Sequence, residues 1–519
     1  MSVPSSTKVL VIGGGPGGSY AGAVLARENI DVVVLEADKF PRYHIGESQL
    51  ASLRHFLRFV DLEEEFEAFG FQRKDGAGFK LNKHKREGYT DFVSHDPGNY
   101  SWNVIRSQAD EIFLRHASRV GAKVYEETKV TEVEFDGEGA DAYPKAALWK
   151  NKQGETGRIT FDYVIDASGR AGILSVKYLH NRQFNQDLKN VAIWGYWKDA
   201  GKYLPGSTRE NSPFFEALED ESGWTWFIPL HDGTVSVGIV MNQEKSNAKK
   251  AVDKVAGKDT SLEEFYKRQT KHTPNIVALL EGASLVKKPE VPLVNSASDY
   301  SYQASHYAGP RYRLVGDAGA FIDPYFSSGV HLAIAGATTA AASICATLKG
   351  ECTEAQACEW HTARTETSYT RFLLVVLSAY QQIRAQSRPV LAKEDEDNFD
   401  RAFDFFRPII QGNSDTGKKL VGDDLNQTIH FLAEHAFEPS LPEERAALVS
   451  KHGDPLQKPP VASANDNEED ARSKAILKGV AIRKLMRTED IVHLDNFVTD
   501  QHGGFKLRLK RGALGLDKV

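Results

Sequence analysis

Apolar positions fall into distinct patterns along this chain. "KVLVI" (Lys8–Ile12) and "DVVVL" (Asp31–Leu35) are short β-branched blocks. Between them Ser19–Arg27 carries small apolar residues at helical spacing. The pattern predicts a strand, a glycine turn, a closely packed helix and a second strand. A helix is expected over about Ser48–Phe69. Alternation with turn residues predicts hairpins from Phe71 to Arg106, then a helix over Gln108–Val120 and strands at Lys123–Phe135 and Ala146–Trp149. "FDYVIDASGR" (Phe161–Arg170) reads as a strand ending in a glycine turn. Residues 190–300 read as mainly β, with a helical piece near Ser261–Leu280. "RYRLVGDAGAFIDP" leads into a long helix that should end at Lys349, with Gly350 just past it as a stop.

After residue 350 long helical patterns run to about 436. His452–Lys474 is polar and rich in Pro, Ala, Asn and Asp, so a mobile connection is expected there. A final helix and tail are expected over Ala475–Val519. The fold class is therefore α/β. Residues 1–349 form a Rossmann-like module with an interleaved β-rich part (about 71–105 and 190–300). Residues 350–519 are expected to form a mainly helical region. No internal repeat is found.

Composition narrows the class. The chain has 519 residues, with 64 basic and 71 acidic side chains and a net charge of −7. That argues against a nucleic-acid surface, since only "FKLRLKR" near the C-terminus is strongly basic. Cys345, Cys352 and Cys358 show no C-x-x-C spacing, so reduced thiols are expected, and no metal site. The N-terminus enters a strand directly without a signal-peptide pattern. No apolar run reaches about 18 residues, so no membrane span is expected. A cytoplasmic location fits these features.

Gly13, Gly15 and Gly18, within "GGGPGG" that also holds Gly14 and Gly17, fit G-x-G-x-x-G between a strand and a helix. The first glycine permits the tight turn, the second lets a pyrophosphate approach, and the third allows close helix packing. Glu36 follows Gly18 by 18 residues, at the end of the next strand, where an acid holds ribose hydroxyls. FAD and NAD share this fingerprint. "LVGDAG" adds Asp317 at a strand end, "FPRYHIGES" adds Arg42 and Glu47, and "VIRSQAD" adds Arg106 at a helix start. Each alone reads equally well as a solvated charge or a capped turn. "DPYFSSGVHLA" (Asp323–Ala333) is a loop entering a helix, where unpaired N–H groups and the helix dipole attract an anion.

In this order the segments resemble FAD-dependent enzymes of the p-hydroxybenzoate hydroxylase architecture, over residues 5 to about 349. Three further features resemble flavin-dependent halogenases, in particular the fungal-type enzymes acting on phenols. "GWTWFIP" matches W-x-W-x-I-P at Trp224, Trp226, Ile228 and Pro229, which the resemblance makes an aromatic plug beside the flavin. Lys74 in "FQRKDGAGFK" matches the family's active-site lysine, although its sequence context alone reads as a surface hairpin. Ser328 and Gly329 match the halide-binding amides, and Val330 the residue that touches the flavin.

The resemblance implies that FADH2 and O2 form a flavin C4a-hydroperoxide. This oxidises chloride or bromide to hypohalous acid, which travels to Lys74 and halogenates an aromatic ring. A separate flavin reductase would supply FADH2. The tryptophan-acting branch has a glutamate just before its serine, where this chain has Phe326. A phenol, activated by its own oxygen, is the substrate class this favours. Asp466, Glu489, Asp490 and Asp495 are candidate bases for the phenol, with none preferred. The alternatives are an FAD-dependent aromatic hydroxylase on the same architecture and a non-catalytic FAD-binding redox module.

Overall fold

The computed structural model describes residues 2–384 (apart from 85, 95, 138, 140–141, 290 and 299–300), 386, 442–453, a few positions from 470 to 480, and 501–519. Asp466, Glu489, Asp490 and Asp495 lie outside the described residues, as does most of 452–474.

The first strand, Ser6–Ile12, is central to an eight-stranded sheet. It pairs in parallel with Val32–Leu35 on one side and Thr156–Asp166 on the other. Lys123–Tyr125 and Tyr312–Leu314 extend the parallel layer outward. The two inner stretches Val9–Ile12 and Val32–Leu35 are continuous runs of Val, Ile and Leu because both faces of the layer are covered there. The helix Pro16–Arg27 and the helix Gly329–Leu348 pack together on one face. A second eight-stranded sheet, mostly antiparallel, comes from Gly76–Lys80, Gly88–Asp91 and strands between Asn190 and Ser298. One hydrophobic core joins the facing sides of both sheets. It takes in Leu10 and Val164 from the first, Trp194 and Phe215 from the second, and Phe372 and Val376 from the helix Glu354–Arg384.

Gly329–Leu348 is made largely of Gly, Ala, Ser and Thr, which lets backbones approach closely. Contrary to the sequence expectation, it is long and apolar enough to cross a membrane, yet 78% of its apolar window is buried inside the protein. A core helix meets the same length and hydropathy test. It stops where expected: Gly350 follows in the left-handed region at φ 71°.

Several elements differ from the pattern reading. The single helix expected over Ser48–Phe69 is two, Ser52–Phe59 and Glu63–Phe69, separated where Asp61 takes φ 58°. Within the β-rich part lies an unanticipated helix, Gln243–Val255, started by the Asn242 side chain accepting from the Glu244 and Lys245 amides. The helical piece near 261–280 is split into Leu262–Thr270 and Pro274–Leu279, the second opening on a proline. Instead of a tail, residues 501–518 form a three-stranded antiparallel sheet. It lies against the helix Gly329–Leu348. Gly512 and Leu514 donate backbone N–H groups to Glu28, at 2.7 and 3.0 Å. The three cysteines are free thiols. Among the described residues no three His, Cys, Asp or Glu side chains gather as a metal site would require.

Candidate active site

The glycine turn closes the end of the first strand. Gly13 has φ 102°, and a Cβ there would stand 2.4 Å from the Ala167 carbonyl oxygen. A Cβ on Gly18 would stand 1.9 Å from the Gly13 carbonyl oxygen. Neither position accepts a side chain without moving backbone. Gly15 differs, because its nearest neighbour is the Arg42 guanidinium at 3.4 Å. It caps the start of the helix Pro16–Arg27 and opens onto a cavity of about 530 Å³. That volume falls in the range of small-molecule and cofactor sites.

Gly13, Gly17, Glu36, Arg42, Glu47, Arg106, Asp317, Gly329 and Val330 also line this cavity, although they are spread over more than 300 residues of sequence. Gly14 lies behind it, its N–H donating to Glu36. The other Glu36 oxygen accepts from the Asp38 N–H at 2.7 Å. Burial pushes the Glu36 carboxyl up, and these two hydrogen bonds pull it back. Arg106 begins the helix Arg106–Arg119 and forms two hydrogen bonds to Asp110, at 2.8 and 2.9 Å. Arg42 reaches the same carboxylate at 3.1 Å. Burial alone would raise the Asp110 carboxyl, but Arg106 and Arg42 hold it below its ordinary value.

Asp317 uses its backbone carbonyl for Arg182 and Tyr302, leaving the carboxylate to the cavity. Burial pushes that carboxyl up to about 6, against the opposing pull of Arg106, Arg170 and Arg182. Glu47 is 2% exposed. One of its oxygens accepts from the Tyr196 hydroxyl at 2.8 Å, and burial raises its carboxyl.

Trp224, Trp226 and Ile228 occupy alternate positions of the strand Gly223–Pro229. Alternation places them on one face, and all three line the cavity. Trp226 donates its indole N–H to Ser236 at 3.0 Å and lies over Gly238. Pro229 does not line the cavity; its carbonyl accepts from Asn103 at 3.1 Å.

In the loop before the core helix, the Asp323 carboxylate accepts from the Tyr325 N–H at 3.2 Å and Ser327 takes φ 58°. Ser327 and Gly329 line the cavity. Ser328 is 1% exposed, and its hydroxyl oxygen finds no hydrogen-bond partner. A buried, unsatisfied polar atom at a helix start fits a site that takes an anion. Phe326 is buried against Phe79 and Tyr325, outside the lining of the cavity.

Lys74 is 2% exposed, so it is not the surface residue its local sequence suggests. Its strand Gln72–Lys74 pairs with Ser101–Asn103. The ammonium nitrogen donates to Ser48 Oγ at 2.8 Å and to the Gln49 carbonyl at 2.7 Å. It lies 5.0 Å from the centre of the Phe92 ring. Burial pushes its pKa down to about 7. Lys74 does not line the large cavity, but Ser48 does.

Ser48, Trp194, Phe215, Asp323 and Tyr380 were not singled out by sequence reasoning. Ser48 directly follows Glu47, and Asp323 opens the Asp-Pro turn, so both were within reach of a local reading. Tyr380 was not, because its partners Trp224 and Asp323 lie 156 and 57 residues away.

The FAD binding domain family profile matches residues 6–369. The halogenase ascD of Acremonium egyptiacum is 51% identical, with the alignment covering all of this chain and 93% of that protein. The sulochrin halogenase gedL of Aspergillus terreus is 50% identical, covering all of this chain and 94% of that protein. Among solved structures, the myxobacterial chondrochloren halogenase CndH is 27% identical with a TM-score of 0.65, covering 83% of this chain and 97% of that one. CmlS, a flavin-dependent halogenase, is 25% identical with a TM-score of 0.68, covering 99% of this chain and 84% of that one. Fold and site thus define an FAD-binding flavoprotein. Within that class, the chain belongs to the flavin-dependent halogenases. It is an enzyme that works with FAD, O2 and halide, which sets aside both the plain hydroxylase and the non-catalytic module.

Proposed function

We propose that the enzyme halogenates a phenolic aromatic compound, with Lys74 directing the electrophile. The observation that carries this is the burial of Lys74 beside the large cavity without lining it. When bound, reduced FAD supplies with O2 the oxidising equivalent that turns halide into hypohalous acid. The glycine turn, Glu36 and Arg42 would hold its adenosine and pyrophosphate part. Arg106, Glu47, Asp317 and Val330 would hold the part carrying the flavin ring. The N–H groups at Ser328 and Gly329 would hold the halide: they give partial positive charge without a side chain to halogenate.

Trp224, Trp226 and Ile228 fill one side of the cavity, so an organic substrate is kept from the flavin and direct oxygen transfer to it is prevented. Lys74, near neutrality in pKa, can hydrogen-bond hypohalous acid as an ammonium or accept halogen as an amine. Phe326 leaves no acid at the position where the tryptophan-acting branch has one, which supports a phenol over an indole. A separate reductase supplies FADH2, and the enzyme works in the cytoplasm.

The test is a halogenation assay with FAD, a flavin reductase, NADH, chloride or bromide, and a panel of phenols read by mass spectrometry. Chlorinated or brominated phenols are expected. Halogenation of free tryptophan with no product from any phenol would overturn the substrate class. Lys74→Ala should lose aromatic halogenation by at least a hundredfold while still consuming NADH.

A further inference from the structure

The segment containing Ser48 runs beside the strand Ser101–Asn103. Gln49 N–H donates to the Trp102 carbonyl at 3.0 Å and Val104 N–H to the Glu47 carbonyl at 2.8 Å. Ser48 itself pairs with Asn103. On the other edge of Ser101–Asn103 lies the strand of Lys74. The lysine side chain therefore reaches across the middle strand to the outer segment, where it meets Ser48 and Gln49. Of these three residues only Ser48 lines the large cavity.

Hydrogen-bond capacity makes this placement chemical. A neutral amine has two N–H groups and a lone pair; an ammonium has three N–H groups. Ser48 and Gln49 accept two hydrogens. The third valence of the nitrogen is what an incoming oxidant meets, a lone pair or an N–H according to charge. The Ser48 hydroxyl accepts from Lys74 and keeps one proton of its own to donate. Of the other polar groups nearby, Asn103 donates its side-chain N–H to the Pro229 carbonyl at 3.1 Å and keeps its side-chain oxygen unpartnered, whereas the rest are engaged. Arg73 and Asp75 pair with each other at 2.7 Å, Glu47 turns to Tyr196, and Ser101 donates to the Leu50 carbonyl at 2.8 Å. The Asp91 carboxylate accepts from the Val93 N–H at 3.0 Å.

We propose that Ser48 is the transfer point between the two halves of the site: its hydroxyl fixes the Lys74 nitrogen and offers its own proton to hypohalous acid leaving the flavin cavity. No bond is made or broken in this passage; the acid exchanges one hydrogen-bond partner for the next. The proposal rests on the halogenase reading with Lys74 as the residue that directs the electrophile.

The test uses the full-length holoenzyme with a flavin reductase, NADH and chloride. Two probes are read in parallel: a phenol that the wild type chlorinates, and monochlorodimedone as a trap for hypochlorous acid that escapes. The measured quantity is the ratio of chlorinated phenol to chlorinated trap. Ser48→Ala should lower this ratio at least tenfold, and Ser48→Thr, which keeps the hydroxyl, should restore it to within threefold. A ratio unchanged in Ser48→Ala would overturn the proposal, as would a Ser48→Thr enzyme no better than Ser48→Ala. If Ser48→Ala does not fold, Ser48→Val carries the same ratio test against Ser48→Thr, since the two side chains share a shape and differ only in the hydroxyl. The wild-type control separates the two readings. A wild type that chlorinates the trap but no phenol overturns the phenol assignment, whereas a normal wild type with an unaffected Ser48→Ala overturns only the role of Ser48.

Discussion

The Trp224 indole N–H donates to the Tyr380 hydroxyl at 2.8 Å. The same hydroxyl accepts from Asn190 at 2.8 Å and donates to the Asp323 carboxylate at 2.7 Å. One oxygen on the helix Glu354–Arg384 thus ties the tryptophan strand to the loop that leads into the core helix. Tyr380→Phe strands the Trp224 N–H and removes a donor from buried Asp323. A loss of about 1–3 kcal/mol in urea unfolding is expected. Adding Trp224→Phe to that variant should cost less than Trp224→Phe does alone. Strict additivity in this double-mutant cycle would show that the contact carries no coupling energy.

Lys74 makes stability depend on pH in a defined direction. Its folded pKa, about 7, lies below the ordinary 10.5. Above pH 10.5 neither folded nor unfolded chain holds this proton. As pH falls from 10.5 to about 7 the unfolded chain takes it up first, so the folded state loses stability. Below about 7 both are charged and the loss is constant, at most about 5 kcal/mol at 1.36 kcal/mol per pH unit. Lys74→Met removes this effect. Its gain over wild type in chemical denaturation should therefore be larger at pH 7 than at pH 10, and an equal gain at both would contradict the burial of the ammonium.

Gly18 and Gly15 belong to one motif but should respond differently to alanine. At Gly18 a methyl group strikes the Gly13 carbonyl, so the turn must open. Gly18→Ala should lower the melting temperature of the apoprotein and weaken FAD binding by at least a hundredfold in a fluorescence titration. At Gly15 the methyl group meets only Arg42 at ordinary range. Gly15→Ala should melt with the wild type yet bind FAD more weakly, because it stands between backbone and cofactor.

Asp110 is the buried counter-charge for Arg106, with Arg42 on its edge. Asp110→Asn leaves a largely buried guanidinium at the cavity wall without its carboxylate. A loss of about 3–5 kcal/mol is expected in urea unfolding of the apoprotein. A variant as stable as wild type would mean that Arg106 finds another partner.

Legibility in the sequence follows how local each constraint is. The glycine turn with Glu36, and Trp224, Trp226 and Ile228 on one strand face, are written at short range in spacing and alternation. The burial of Lys74 is not, because Ser48 and Gln49 lie 26 and 25 residues away and Phe92 lies in the bend after the strand Gly88–Asp91. A family resemblance supplied what the local pattern lacked. The helix Gln243–Val255 went unseen because it is polar and mostly exposed, with no apolar stripe to register. The strand Phe505–Arg508 was readable: Phe505 and Leu507 are buried and Lys506 is exposed. In "FKLRLKR" the density of charge masks that alternation.

The sheet at residues 501–518 also orders events in time. Glu28, at the end of the helix Pro16–Arg27, is capped by amides of Gly512 and Leu514. Lys349, at the end of the core helix, donates to the Leu514 carbonyl at 2.8 Å. On the ribosome the dinucleotide layer therefore receives its last contacts only after residue 514 has emerged. Nascent chains stalled before that point should hold this layer in a looser state, open to proteases that the finished enzyme resists.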